Sequence, residues 1–281
     1  MPEARFRRIL FALLGAAAIA IPAAAADAPQ SSLDVAYTVA FWAVPFGHTW
    51  YEGKIASNSY DAKMHFETSG VISVFWNSII DANVNGKIAA HTITPAVYDS
   101  YSQDHNSKKQ RVKVSFDNGD STLFADPPFK TNKYPVSEEL KKGAVDPMSA
   151  ITQILAGLKA DAKNPCGTGA QVFDGRRRYD LTFTYVRDEP VKLTNGQFNG
   201  TAHLCQIHYN QIAGFKQKIV AEGKALPPMF ADFADVMSEG APSGHYVIAV
   251  KVWSTLSWGT VTVTLDSAKV DGKTPFSSVK S

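Results

Sequence analysis

Short stretches that alternate apolar and polar residues decide the fold of this chain. The clearest is Arg111-Val112-Lys113-Val114-Ser115-Phe116, in which every second side chain is apolar. A period of two places one set of side chains in a core and the other in solvent, as in a half-buried β-strand. The same alternation recurs at Val35, Tyr37, Val39 and Phe41, at Ala62, Met64 and Phe66, and at Val261, Val263 and Leu265.

Turn signals separate these stretches along the whole chain. They are Asn85-Gly86, Asn118-Gly119, Asp174-Gly175, Asn195-Gly196 and Asp271-Gly272. Asx-Gly pairs between alternating segments are typical of hairpins between antiparallel strands. We predict a mainly β protein, with an antiparallel sheet curled into a broken β-barrel-like fold or folded into a sandwich.

Two short helices are predicted to interrupt the strands. Asp146-Pro147 gives the first an acidic N-cap and a proline at its first position. Its apolar face would consist of Met148, Ile151, Ile154, Leu155 and Leu158. The second, weaker pattern runs over residues 228–237, and Gly240 and Pro242 follow it.

Residues 1–26 have the pattern of a secretory signal peptide. A basic start is followed by a short apolar run and by Ala24-Ala25-Ala26, after which we expect cleavage. A retained membrane anchor is the alternative, but the run is shorter than the roughly 20 apolar residues that a span needs. The sequence therefore predicts an exported, periplasmic protein.

The remaining residues are predicted to form a single β-rich domain over 27–271, with possible halves at 27–126 and 146–271. A flexible tail would follow over 272–281.

Hydrophobic residues make up 45% of the chain and charged residues 19%, which excludes a disordered chain. Loss of residues 1–26 would remove three arginines and one glutamate, and this leaves the rest near neutral. Near-neutrality argues against nucleic-acid binding and against polybasic docking to a membrane.

The chain contains only two cysteines, Cys166 and Cys205. In an oxidising compartment an even pair most simply forms a disulfide. A redox or metal-binding pair is the alternative, but the spacing matches no common motif of either kind.

Aromatic residues are the first candidates for ligand binding. Trp42, Phe46, Trp50 and Trp76 stand close together in the sequence. Ordinary core packing is one interpretation of these rings. The other is that they line a cavity for an apolar ligand, as closed or broken barrels often permit.

The second group of candidates follows the Asp174-Gly175 turn. Arg176, Arg178 and Tyr179 could form an anion or headgroup site at a barrel rim, since arginine suits carboxylate and phosphate groups. The competing interpretation is that these arginines form ion pairs with acidic neighbours such as Asp188 and Glu189.

The sequence lacks the nucleophile elbow, zinc-protease, P-loop and dinucleotide motifs. We therefore expect no enzymatic activity and no cofactor. His203, Cys205 and His208 form a small His/Cys cluster, but a disulfide would remove the thiolate, so no metal site is predicted there.

The middle of the chain resembles a known family. The motifs are Asp146-Pro147-Met148-Ser149-Ala150, Cys166-Gly167, residues 172–181 and Cys205 with Ile212-Ala213-Gly214, and upstream Thr94-Pro95-Ala96-Val97-Tyr98. In this order they resemble DUF3108, a family of exported proteobacterial proteins of unknown function. The resemblance implies export and a β-rich fold, and it brings no activity or catalytic residues.

Three functional hypotheses follow from the sequence. The first is a soluble periplasmic β-barrel-like protein that binds or carries an apolar or amphipathic envelope molecule such as a lipid. The second is a structural or interaction protein that supports envelope integrity through contacts with envelope proteins. The third is a hydrolase with a site assembled from dispersed residues. An internal cavity would favour the first over the second.

Overall fold

The computed structural model describes residues 30–73, 77–130, 133–161, 163–216 and 226–276. Thirteen strands and three helices occur in these ranges. The strands are β1 (Gln30–Phe41), β2 (Val44–Ala56), β3 (Ser59–Thr68), β4 (Ile79–Ala89), β5 (Thr92–Gln103), β6 (Lys109–Asp117), β7 (Asp120–Asp126), β8 (Ala170–Phe173), β9 (Arg178–Lys192), β10 (Asn199–Ala213), β11 (Met229–Met237), β12 (His245–Leu256) and β13 (Gly259–Val270). The helices are α1 (Gly70–Ser73), α2 (Glu138–Lys141) and α3 (Pro147–Leu155).

All the strands belong to one antiparallel sheet. Its order is β7-β6-β5-β4-β3-β2-β1-β13-β12-β11-β10-β9-β8. The two predicted halves therefore meet directly, because β1 pairs with β13 from Leu33–Val270 to Phe41–Val261. The sheet is not closed, since β7 and β8 are its two edges. This confirms the predicted broken β-barrel-like fold.

Burial follows the alternation in the sequence. Val112 and Val114 of β6 are buried, whereas Arg111 and Lys113 between them are exposed. The inward set shares one core across many strands, with Leu33, Val84, Ile248 and Leu265 fully buried. The concave face of the curled sheet is thus apolar.

The helix predicted at Asp146 is present as α3. The Asp146 carboxylate accepts hydrogen bonds from the backbone N–H and the hydroxyl of Ser149, and Pro147 occupies the first helical position. An N-cap that accepts from the third helical residue satisfies a donor that the helix itself leaves unpaired.

The second predicted helix is wrong, because residues 229–237 form strand β11. β11 pairs with β10 on one side and with β12 on the other. Apolar side chains lie on both faces of β11, since Met229 and Phe233 point inward whereas Phe230 stacks on Trp253 of β12. Taken over both faces, Met229, Phe230, Phe233 and Val236 have a spacing that resembles a helical repeat.

Helix α3 packs inside the curled sheet. The Tyr51 hydroxyl lies 2.9 Å from the Thr152 hydroxyl, and the Tyr60 hydroxyl lies 2.6 Å from that of Ser149. Gln153 donates to the carbonyl oxygen of Gly169 at 2.7 Å. These bonds tie α3 to the inner face and to the loop before β8, and they satisfy polar groups that the helix buries.

We call the end at which β1 turns into β2 and β12 turns into β13 the hairpin end. β9 begins, β10 ends and β11 begins at this same end, as their pairing shows. Helix α3 lies toward the opposite end, where Ser243 of the β11–β12 connection donates to the carbonyl oxygen of Ala156.

The Sγ atoms of Cys166 and Cys205 lie at disulfide distance, as the sequence predicted. The pair joins the loop after α3 to β10, with the Cα atoms 6.1 Å apart. Both residues are buried beside Ala231, Phe233 and Val247. The disulfide therefore fixes the C-terminal side of α3 to the sheet.

Both ends of the chain extend beyond the described residues. The signal peptide predicted at 1–26 lies outside them, as do residues 277–281 of the predicted tail. The described part of that tail contacts the β9–β10 connection, since the rings of Phe276 and Phe198 meet edge to face at 5.1 Å. Within the described ranges, none of the helices is long and apolar enough to cross a bilayer.

We predict that Cys166→Ser lowers the melting temperature of the oxidised protein by several degrees or more. The bond spans 39 residues, and the chain-entropy model gives such a loop roughly 4 kcal/mol of stabilisation. Scanning calorimetry checks this. Reductant should lower the melting temperature of the wild type toward that of the variant and leave the variant unchanged. Equal melting of the wild type with and without reductant would contradict the disulfide.

A second prediction concerns the buried cap of α3. Burial raises the pKa of Asp146 to about 6, although hydrogen bonds from Ser149 oppose the shift. The folded state therefore binds the proton more tightly than the unfolded state. The stabilisation that comes from protonated Asp146 is therefore fully present below about pH 4 and is lost as the pH rises through 6.

Asp146→Asn keeps a cap acceptor and removes this titration. We expect the variant to gain stability relative to the wild type between about pH 4 and about pH 7, by at most about 3 kcal/mol. Urea unfolding at both pH values measures the gain. Asp117→Asn, at an exposed position at the end of β6, is the matched control. Parallel pH profiles for the Asp146 variant and the wild type would contradict the prediction.

Candidate functional site

An apolar cavity of about 400 Å³ lies between α3 and the concave face of the sheet. This volume falls within the roughly 300–1,000 Å³ typical of small-molecule sites. The lining comes from α3 and from eight strands. It comprises Val35, Tyr37, Thr49, Tyr51, Met64, Ile151, Ile154, Leu155, Leu181, Phe183, Ile207, Tyr209, Met229, Phe233, Ala249, Val252 and Val263.

The alternation of the strands and the face of α3 explain why these side chains meet. Tyr37, Tyr51 and Leu181 occupy inward positions of their strands. Ile151 and Ile154 belong to the apolar face predicted for the helix. Ser149 and Thr152 hold α3 to the sheet through Tyr60 and Tyr51, and the Ile151 and Ile154 side chains stay apart from the strands that face them. The cavity lies in this gap.

The cavity is electrically neutral. Its polar groups are hydroxyls, and that of Tyr51 is paired with Thr152. Burial raises the pKa values of Tyr37 and Tyr51 above the ordinary tyrosine value. Burial also raises the pKa of Tyr209 to about 12. These phenols stay protonated near neutral pH, so the lining suits an uncharged, apolar group.

Aromatic rings connect the cavity to a basic turn at the hairpin end. The ring of Tyr209 stacks on that of Tyr179 at 4.5 Å and meets the edge of Phe215 at 6.3 Å. The guanidinium of Arg177 lies 5.6 Å from the centre of the Phe215 ring. The carboxylate of Asp174 accepts the backbone N–H groups of Arg176 and Arg177, which fixes this turn. An arginine is therefore held beyond the aromatic edge of the cavity.

The arginine candidates from the sequence have different surroundings. Arg178 is buried, forms an ion pair with Asp180 at 2.5 Å and donates to the carbonyl oxygens of Leu140 and Tyr179. Its guanidinium is thus used within the fold, and Asp180 takes the place of the acidic partners expected at Asp188 and Glu189. Arg176 is exposed, with its guanidinium 5.6 Å from the centre of the Phe129 ring.

The aromatic candidates that the structure describes lie away from the cavity lining. Trp42 is 67% exposed in the β1–β2 turn. Trp50 lies on the outer face of the sheet between His48 and His65, with ring centroids 5.9 and 5.4 Å away. Phe46 is half-buried near the start of β2, and its carbonyl oxygen accepts the N–H of Ser69. Trp76 lies outside the described residues.

The small His/Cys cluster has partners of its own. His203 lies between two carboxylates, with Nδ1 2.5 Å from Asp188 and Nε2 3.2 Å from Asp235. His208 lies 3.1 Å from the Thr184 hydroxyl, and Cys205 is paired with Cys166. Within the described ranges, no group of three or more histidine, cysteine or acidic residues could hold a metal ion.

Sequence reasoning missed Phe183, Ile207, Tyr209 and Met229 as lining residues. Their signal was present, since they occupy inward positions of predicted or actual strands. A cavity, however, is a local failure of packing between elements distant in sequence. Alternation shows which side chains point inward and not where they fail to touch.

Comparison with known proteins shows the family of this chain and a distant similarity of fold. Comparison with curated proteins gives no match. The crystal structure of a β-barrel-like protein of domain of unknown function DUF1849 from Brucella abortus is 10% identical to this chain, with a TM-score of 0.49. The similarity covers 86% of this chain and 98% of the Brucella chain. The model of the protein family of unknown function DUF3108 matches residues 34–266, so this chain belongs to the DUF3108 family.

Proposed function

We propose that this protein binds an apolar or amphipathic molecule of the cell envelope in the cavity beneath α3 and holds or carries it without chemical change. The observation that supports this most directly is the cavity itself, which has ligand-sized volume and an almost wholly apolar lining. A molecule with a lipid-like chain would exchange its contact with water for contact with Ile151, Phe183 and Phe233.

The aromatic edge of the cavity suits an amphipathic ligand with a negative end. The path from the cavity to the surface passes first Tyr209, then Phe215 and then Arg177. A carboxylate or phosphate at the surface end of an apolar chain would find the Arg177 guanidinium there. Arg178, already paired with Asp180, would serve to hold the start of β9.

The proposal assigns no reaction to the cavity. Its hydroxyls are neutral near physiological pH, and the described lining contains no carboxylate, imidazole or thiol that could act as a base or nucleophile. A purely structural role without a ligand would need no such cavity, so binding is the better explanation of the packing.

Export to the periplasm forms part of the proposal. The pattern of residues 1–26 and the cysteine pair support it, because disulfides persist in oxidising compartments.

Filling the cavity should abolish binding of a fluorescent fatty acid. Ala249 lines the cavity, and Ala249→Phe would place a ring in it. We expect saturable binding of cis-parinaric acid to the wild type and at least about tenfold weaker binding to the variant. Fluorescence titration of the purified protein, after organic extraction of any copurified ligand, measures this.

The matched control is Ala96→Phe, the same change at an exposed position of β5. It should bind like the wild type, and both variants should be checked for wild-type melting. Absence of saturable binding to the extracted wild type would refute the proposal, as would equal binding by the Ala249 variant.

A further inference from the structure

The hairpin end displays an exposed aromatic cluster. Trp42 and Trp258, on two adjacent hairpins, are 67% and 63% exposed. Phe41 lies between them, with ring centroids 5.5 Å from Trp42 and 5.0 Å from Trp258. Val44, also exposed, follows on β2. We call these four residues the tip cluster. Large rings gathered in solvent on two hairpin tips are unusual for a surface that meets only water.

The backbone of both turns is arranged to hold these rings outward. Trp42 and Ala43 have φ values of 48° and 64°, a left-handed conformation that favours glycine or asparagine over such residues. Gly259 has a φ of 153°, and a Cβ there would lie only 2.2 Å from the Phe41 ring. Trp42 thus occupies a left-handed turn position at which glycine or asparagine is preferred. The glycine of the neighbouring turn, Gly259, instead leaves space for the Phe41 ring. An unfavourable turn conformation that exposes apolar rings indicates that these rings contact another molecule or surface.

Exposed cations surround this end of the sheet. Lys108 lies on the β5–β6 connection and Lys109 begins β6. Arg176 and Arg177 lie on the β8–β9 turn. The acidic residues of the same turns, Asp104 and Asp174, accept backbone N–H groups there. Each turn carries two exposed cations and one carboxylate, so the net charge of both turns is positive.

The tip cluster and the cavity belong to the same half of the molecule. β11 begins at the hairpin end with Met229, which lines the cavity. Tyr209, four residues before the end of β10, also lines it. Helix α3 occupies the opposite half. A surface in contact with the tip cluster would therefore face the half of the barrel that holds the cavity.

We propose that the hairpin end docks on a phospholipid bilayer with anionic headgroups, with the tip cluster inserted at the interface. Tryptophan prefers the boundary between headgroups and acyl chains, and lysine and arginine beside it are attracted to anionic lipid. The chain is near neutral once residues 1–26 are set aside, so ring burial supplies most of the binding and charge adds to it. This inference deepens the proposed function, on which it rests, because docking here would bring the cavity to the source of a lipid-like ligand.

Vesicle partition tests the proposal. The probe vesicles contain phosphatidylcholine with about 30% phosphatidylglycerol. The protein is purified in the form that the cells produce, and its mass is measured to establish where its N-terminus lies. We expect the wild type to cosediment with them and its tryptophan emission to be quenched by lipids brominated in the acyl chain. Trp42→Asn combined with Trp258→Ser should weaken partition at least about tenfold. Asparagine suits the left-handed backbone at position 42.

Met237→Ser is the matched control, since Met237 is 81% exposed at the opposite end of the sheet. It should partition like the wild type. If the double variant melts early, Trp258→Ser alone replaces it. Failure of the wild type to bind these vesicles, or equal binding by the tip variants, would overturn the docking proposal. A wild-type dimer that the tip variants lose, without vesicle binding, would assign the cluster to a second copy and overturn it as well.

The cavity is tested separately in the same samples. The tip variants should bind cis-parinaric acid in solution as the wild type does, because none of their changes touches the lining. Fatty-acid binding without vesicle binding refutes docking and leaves the proposed function standing. Vesicle binding without fatty-acid binding refutes the proposed function.

Discussion

The structure depends on how the concave face of an unclosed sheet is filled. Thirteen strands curl round a space, and the edges β7 and β8 do not pair. The inward side chains of such a sheet leave a volume that another element must occupy, because an empty apolar interior forfeits packing contacts. Helix α3 is that element. Its buried cap at Asp146 and the Cys166–Cys205 link beyond its C-terminus hold it against the sheet.

The way in which α3 is held explains the cavity. Hydrogen bonds between hydroxyls of the helix and those of Tyr60 and Tyr51, together with the disulfide, fix the helix toward one end of the barrel. Nothing in the described residues draws the helix toward the hairpin end, so the apolar strand faces there remain apart from it. The volume that one short helix leaves unfilled becomes a ligand-sized cavity. Its neutrality follows from burial, which keeps the tyrosine hydroxyls protonated.

Much of the fold could be predicted from the sequence because its signals are local. Alternation at Val112 and Val114 marked strands, and Asp146-Pro147 marked the start of α3. β11 was mistaken for a helix because apolar residues on both of its faces have a helix-like spacing, and only pairing with β10 and β12 resolves the ambiguity. The cysteine pairing followed from there being only two cysteines.

The site was less predictable, for a physical reason. Sequence patterns drew attention to tryptophans, yet Trp42 and Trp50 lie outside the cavity. Its rings are those of Tyr37, Tyr51, Phe183, Tyr209 and Phe233. The turn after Asp174 was also singled out, and the surroundings of its arginines depend on tertiary partners. Arg178 is buried against Asp180, and Arg177, not chosen from the sequence, lies at the aromatic edge. Which of several neighbouring arginines faces a cavity depends on register, which composition does not reveal.

The most direct test of the account is native mass spectrometry of the protein purified from its own cells, with organic extraction of the same sample. The account predicts the mass of residues 27–281 less two hydrogens, together with a reproducible additional mass that extracts as a lipid and is absent from Ala249→Phe. A bare chain for both the wild type and the variant would contradict the claim that the cavity beneath α3 is a binding site.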